Sequence, residues 1–188
     1  MMNAIEIYHD TLSKDQCNQL IKMYDEDDRK VRGEVLAPGG TVVDDTIKSS
    51  TDLQLNFLNT DDGEYNDIIL PRLKERLDLF KNKYQFLLYD DRWDISGEYN
   101  IQKYVDGEGF FKPHCEHGAN NPYRMLAWMI YLTDSMSGTE FPYQNMILEA
   151  KKGNLAIWPA AWTHPHKGQT PNVGHKYIAT GWCHYHSA

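Results

Sequence analysis

The spacing of apolar positions changes character about halfway along the chain. Behind Ser13 and Gln16, which have the separation of a capping box, Cys17, Leu20, Ile21 and Tyr24 recur at helical spacing, predicting a first helix near 14 to 26. Ile69, Leu73, Leu77, Phe80 and Tyr84 fall on one stripe within 64 to 88 and predict a second helix, with Pro71 near enough to its start to be tolerated or to kink it. Between the two, RKVRGEVLAPGGTVVDDTIKSS is rich in Gly, Asp and Thr and turns at Pro38-Gly39-Gly40. This reads as a mobile loop with a short strand on either side, a candidate lid. From about 93 onward the runs become short or alternating: YNIQKYV (99 to 105), LAWMIYLT (126 to 133), NLAIWP (154 to 159) and KYIATGWC (176 to 183). Turn-rich pieces separate them, DGEG, SMSG and TPNVG, so this half is expected to be an antiparallel sheet or sandwich. Helices first and strands afterwards is an α+β order, mainly β, with the helices on one face of the sandwich.

A chain of 188 residues that is 41% apolar buries one core and not two, which predicts one domain over 1–188, with 1–92 as helical support plus the lid loop and 93–188 as the β core. The 19 basic and 27 acidic residues give a net charge of -8, with no dense Lys/Arg run. No nucleic-acid partner is expected, because affinity for a phosphate backbone comes from clustered cations. The start MMNAIEIYHD lacks a basic segment followed by a long apolar one, and no apolar run approaches the length a bilayer requires, so no membrane association is expected. Cys17, Cys115 and Cys183 are odd in number and widely spaced, unlike a disulfide framework, and suit a reducing, cytoplasmic setting.

The densest candidate chemistry lies in FFKPHCEHG, residues 110 to 118. If 112 to 117 run as an extended strand end, His114 and Glu116 point one way while Cys115 and His117 point the other. One imidazole and one carboxylate at i and i+2 are two legs of a two-histidine, one-carboxylate facial triad. The spacing alone is weakly diagnostic in a chain with eight histidines and 27 acids. A third ligand is offered by WTHPHKG, residues 162 to 168, where parity does not separate His164 from His166. Farther on, Lys176 opens a strand, where a cation could pair with a carboxylate of a bound small dicarboxylate.

Taken together these residues resemble the 2-oxoglutarate and iron(II)-dependent oxygenase superfamily, in its prolyl 4-hydroxylase-like branch. The resemblance runs from Tyr99 to Trp182 and rests on motifs in order: Tyr104 ten residues before His114 in YVDGEGFFKPH, RMLAWMIYL from Arg124 to Leu132, SGTEFP with Gly138 and Phe141, and GNLAIWP with Trp158. HKG at 166 to 168, Lys176 ten on, and KYIATGW complete it and select His166 over His164. By this resemblance the fold is a jelly roll, or double-stranded β-helix of the cupin kind, with supporting N-terminal helices, and 93–188 is its catalytic β core. The resemblance further implies that His114, Glu116 and His166 bind Fe(II), Lys176 holds the distal carboxylate of 2-oxoglutarate, and Tyr104 donates a hydrogen bond to that cosubstrate. Ascorbate is admitted as an accessory reductant. Trp162, beside the distal histidine, and Arg124 are candidates for a substrate pocket. The implied reaction hydroxylates a C–H bond with release of succinate and CO2, with a prolyl residue in a peptide or protein as the leading substrate and a small molecule as the other. Most relatives have H-x-D where this chain has H-x-E, and Glu is one methylene longer. Two rivals keep the residues and change the reading: a zinc hydrolase with a metal-bound water, and a non-catalytic β-sandwich binding module with incidental histidines.

Overall fold

The structure is a computed structural model, and it describes residues 3–89, 92–171 and 174–186. Its helices are α1 (Lys14–Glu26) and α2 (Gly63–Lys83). The Ser13 side chain accepts from the backbone of Gln16 at 3.1 Å, and the Gln16 side chain accepts from the backbone of Ser13 at 3.0 Å, so the expected capping box starts α1. α2 runs through Pro71 and ends at Lys83; the residues expected to extend it, Gln85–Leu88, form a 3-10 turn instead.

The strands, in chain order, are β1 (Glu6–Tyr8), β2 (Val31–Arg32), β3 (Val35–Ala37), β4 (Gly40–Val42), β5 (Lys48–Ser49), β6 (Thr51–Asn56) and β7 (Trp93–Tyr104). They continue with β8 (Gly109–Phe110), β9 (Arg124–Tyr131), β10 (Ser135–Phe141), β11 (Met146–Ala150), β12 (Leu155–Pro159), β13 (Lys167–Gly168) and β14 (Lys176–Tyr185). Seven strands form one antiparallel sheet in the order β1-β12-β9-β14-β7-β6-β2, and β11-β10-β13 form a smaller sheet.

Strand parity sorts the core. On one face of the large sheet Leu53, Tyr99, Ile101, Trp128, Ile130, Ile157 and Ala179 pack with Leu20 and Tyr24 of α1 and Ile69, Leu73 and Phe80 of α2. On the other face Ala127, Ala156 and Trp158 meet Phe141 and Leu148 of the small sheet. Helices therefore cover one side and the second sheet the other, with the inner face between the sheets left for polar groups.

One expectation changes. SMSG, read as a turn, is the start of β10, and the Ser/Gly composition that hid it has a packing cause. A Cβ on Gly138 would lie 1.7 Å from the Leu148 carbonyl oxygen, so only glycine lets β10 and β11 approach this closely. The segment 30 to 50 carries the expected short strand on either side of its Pro-Gly-Gly turn, β3 and β4, which pair as a hairpin across Pro38-Gly39.

Glycine is also required at 181 in β14, where a Cβ would meet the buried Trp128 ring at 2.6 Å. Replacing Gly181 by Ala is expected to cost about 1–3 kcal/mol of stability, the usual range for overpacking a core. Urea unfolding of the variant against the parent protein checks this.

Candidate active site

A two-residue piece of ladder assembles the centre. His114 and His166 face each other as an isolated antiparallel bridge and exchange both backbone hydrogen bonds, His114 N–H to the His166 carbonyl and the reverse, each 2.9 Å. Directly opposed residues project to the same side of a ladder, so the two imidazoles come together without a helix or a long strand to carry them. The chain then stays extended, and the backbone N–H groups of Glu116 and His117 both donate to the Ala160 carbonyl. This returns the Glu116 side chain to the face of His114, as the i, i+2 spacing predicts, although 112 to 117 hold a bridge and not the strand end assumed.

The ligand atoms of His114, Glu116 and His166 lie within 4.8 Å of one another, the only such group of three or more His, Cys, Asp or Glu among the described residues. Each ring is oriented by its other nitrogen: Nδ1 of His114 lies 3.2 Å from the Lys112 carbonyl, and Nδ1 of His166 lies 3.1 Å from the His164 carbonyl. A carbonyl only accepts, so each Nδ1 carries the proton and each Nε2 can offer a lone pair inward, the tautomer that ligates metals. Both Nε2 atoms face one carboxylate oxygen, Glu116 Oε1, at 3.6 Å from His114 and 3.3 Å from His166. Phe110 stacks on His114 at 3.7 Å between centroids, and Trp158 meets His166 edge-on at 5.0 Å. Two imidazoles and one carboxylate oxygen on one side of a small space fit a metal that keeps further positions open.

The second oxygen of Glu116 is already occupied. Oε2 accepts from Nη1 of Arg124 and from Nε1 of Trp182, each at 2.9 Å.

A cavity of about 820 Å³ extends from this centre between the sheets. Even numbering along β14 puts Lys176, Ile178, Thr180 and Trp182 on its wall. Lys176 is 3% exposed, and its ammonium donates to the Gly138 carbonyl at 3.0 Å. Among the described residues no carboxylate pairs with it, and burial pulls its pKa down to about 8. A buried cation without an anion is costly, and a carboxylate entering the cavity would offset that cost.

A second buried chain of polar groups lies on the same wall. The Tyr104 hydroxyl donates to Oε1 of Gln102 at 2.7 Å, and Nε2 of Gln102 donates to Asp52 at 3.1 Å. Asp52 is paired with Lys48 at 2.5 Å and accepts from Ser50 at 2.7 Å.

Residues 99–184 match the model of a protein family described as the 2OG-Fe(II) oxygenase superfamily. The chain carries that match over its β core, 86 of its 188 residues. It is a 2-oxoglutarate-dependent dioxygenase, and its cofactors are iron(II) and 2-oxoglutarate. Solved structures of the same fold include a viral collagen prolyl hydroxylase from Paramecium Bursaria Chlorella virus-1, with TM-score 0.69, 17% identity and 96% of each chain covered. A Pseudomonas putida prolyl-4-hydroxylase has TM-score 0.67 and 16% identity over 98% of this chain and 94% of its own. A Trichoplax adhaerens prolyl hydroxylase, solved with a hypoxia inducible factor peptide, has TM-score 0.71 and 15% identity over 98% of this chain and 84% of its own. At these identities the likeness is one of fold: mainly β, with a prolyl-hydroxylase-like jelly-roll arrangement. No curated protein sequence matches the chain.

The oxygenase keeps some of the expected residues at its cavity and moves others. His114, Glu116, His166, Lys176, Tyr104 and Arg124 all line it. Trp162 does not: it is 74% exposed on the turn after β12, so closeness in sequence to His166 does not become closeness in space. His164 is also separated from His166, because its Nδ1 meets the Thr163 hydroxyl and its Nε2 the Asn3 carbonyl, both at 2.8 Å. In the structure the Tyr104 hydroxyl, expected to donate to a cosubstrate, has a protein acceptor. Asp52 fixes the Gln102 amide with its oxygen toward Tyr104, which takes the phenol proton and leaves the phenol oxygen as an acceptor. Sequence reasoning overlooked Gln102, Asp52 and the role of Trp182; alternation along YNIQKYV and KYIATGW was the signal that places Gln102 and Trp182 on the inner face.

The depressed pKa of Lys176 makes a stability prediction for the protein without cosubstrate. Between about 8 and its ordinary 10.5 the unfolded chain holds the Lys176 proton and the folded chain does not, so this residue makes stability rise with pH across that window. Lys176→Met is expected to flatten the rise and to stabilise the protein at pH 7 by on the order of 3 kcal/mol. Urea unfolding of both proteins from pH 7 to pH 10.5 measures it.

Proposed function

We propose that this oxygenase hydroxylates a C–H bond of a prolyl residue in a peptide or protein, with iron held by His114, Glu116 and His166 and the distal carboxylate of 2-oxoglutarate held by Lys176. The observation that carries the reading is the buried, unpaired Lys176 ammonium in the same cavity as the facing His–Glu–His group. A zinc hydrolase on this centre has no use for such a cation, and an incidental pair of histidines in a binding module has no use for two imidazoles tautomerised toward one carboxylate oxygen.

When bound, iron(II) and 2-oxoglutarate supply the oxidising chemistry that places oxygen in an unactivated C–H bond and releases succinate and CO2. The chain's own contribution is placement. Lys176 and the phenol of Tyr104, whose ring lies 5.8 Å from the ammonium, close the inner end of the cavity around a dicarboxylate. Phe110 and Trp158 flank the two imidazoles and limit water around the centre. On the side of the cavity formed by β6 and β7, Gln54 and Asn100 sit opposite each other in register, with Asn56 beyond. Side-chain amides both donate and accept, which suits the main chain of an extended peptide substrate.

The two sheets are read here as the walls of a double-stranded β-helix, and 1–188 as one domain in which 93–188 is the catalytic core and 1–92 its support. The β3–β4 hairpin, with Val35 and Leu36 at the cavity, takes the role of a lid over the substrate. The three free cysteines fit a reducing, cytoplasmic setting. Among the described residues no helix is long and apolar enough to cross a membrane.

Purified protein supplied with iron(II) and 2-oxoglutarate is expected to bind the cosubstrate and, with a proline-containing peptide, to release succinate in step with hydroxyproline. Lys176→Ala should abolish 2-oxoglutarate binding, and wild-type affinity should fall as pH rises through about 8, where the free amine loses its charge. Calorimetric titration across pH checks both, and a metal-loaded protein that ignores 2-oxoglutarate contradicts the assignment. Leu36→Asp is expected to raise KM for the peptide several-fold with KM for 2-oxoglutarate unchanged, as steady-state kinetics with each varied in turn would show.

A further inference from the structure

We propose that Arg124 and Trp182 are positioning residues that clamp the longer Glu116 side chain so that it presents one oxygen, and only one, to the metal. This rests on the metal site proposed above and deepens it, since it concerns what the extra methylene of Glu116 requires. Arg124 opens β9 and Trp182 lies near the end of β14, strands that are neighbours in the large sheet. The guanidinium carbon of Arg124 sits 3.5 Å from the centroid of the Trp182 ring, so the two donors brace each other before either meets the carboxylate. Both then donate to Oε2 of Glu116 at 2.9 Å.

A carboxylate oxygen has two lone pairs in its plane, and these two donors take up both on Oε2. Oε1 accepts from neither and faces Nε2 of both histidines. Chelation of one metal by both oxygens would require breaking one of these hydrogen bonds, both of them charge-assisted because the acceptor is a carboxylate. The same bonds restrain the torsion that glutamate has in excess of aspartate, which otherwise would be lost on ligation at an entropic cost. An aspartate at 116 that kept an oxygen beside the histidines would draw its second oxygen back by about one carbon–carbon bond, roughly 1.5 Å, out of reach of Arg124 and Trp182. The clamp is thus fitted to glutamate. Arg124, expected at a substrate pocket, lines the cavity and directs its guanidinium at Glu116.

Cobalt(II) alone is the probe, followed by its visible absorption and its dissociation constant. Trp182→Phe keeps the ring under Arg124 and removes the N–H; Arg124→Met removes the other donor. In the parent protein each is expected to weaken cobalt binding by about 10- to 100-fold, the usual effect of losing a partner that orients a ligand, and to change the visible spectrum as Glu116 gains freedom to chelate. In a Glu116→Asp background the same substitutions should leave affinity within about twofold, because the side chain through which they act is already gone and the effects are coupled rather than additive. Equal losses in both backgrounds, or none in the parent protein, would overturn the clamp while leaving the metal site standing. A parent protein that binds no cobalt would overturn the metal site and the clamp together. Thermal unfolding of the metal-free variants separates loss of fold from loss of affinity; should Arg124→Met not fold, the Trp182→Phe comparison decides alone.

Discussion

The centre depends on one pair of backbone hydrogen bonds, those exchanged by His114 and His166. These residues are separated by half of the β core, and neither sits in a long strand. The isolated bridge converts that separation into two imidazoles on one side of one ladder, and the extended chain after it adds Glu116 two residues on. Geometry of this kind does not tolerate slippage, since a one-residue shift would turn His114 away and bring Cys115 in. The donation from the Glu116 and His117 N–H groups to the Ala160 carbonyl holds the segment against such a shift.

Around the bridge, the period of two does the remaining work. The large sheet sends odd positions of β7 and β14 into the helix-covered core and even positions toward the small sheet, so one strand supplies both Ala179 to the core and Lys176 to the cavity. The helices contribute no ligand. They cover one face of the sheet, which frees the other to hold polar and charged groups in a shape that the small sheet closes. Two buried charges show how differently such groups are managed there: Asp52 is satisfied by Lys48, Ser50 and Gln102, whereas Lys176 has a single carbonyl. The first arrangement is structural in kind and fixes the direction of the Tyr104 proton. The second leaves a buried ammonium with no carboxylate beside it among the described residues.

What could be seen in the sequence follows from which signals are local. The capping box at Ser13, the parity of His114 and Glu116, and the alternation of KYIATGW are local, and each reappears in the structure as a start, a shared face or a wall. His166 over His164 came from a motif register alone; the structure supplies the physical reason, in that both ring nitrogens of His164 are spent on Thr163 and Asn3. Strand β10 stayed hidden because its Ser and Gly residues, chosen for close approach to β11, look like a turn when read one residue after another. Trp162 was misplaced because adjacency in the chain says nothing about direction across a turn. The hold of Arg124 and Trp182 on Glu116 depends on Trp182, 66 residues beyond Glu116, and no local pattern announces it.

The most direct test of the account is a crystal structure of the protein grown anaerobically with iron(II) and 2-oxoglutarate, with the metal located by its anomalous scattering. The account predicts one metal within about 2.0–2.2 Å of Nε2 of His114, Oε1 of Glu116 and Nε2 of His166, with the far carboxylate of 2-oxoglutarate on the Lys176 ammonium. A metal held by other residues, or 2-oxoglutarate bound with Lys176 still turned to the Gly138 carbonyl and no carboxylate beside it, would contradict it.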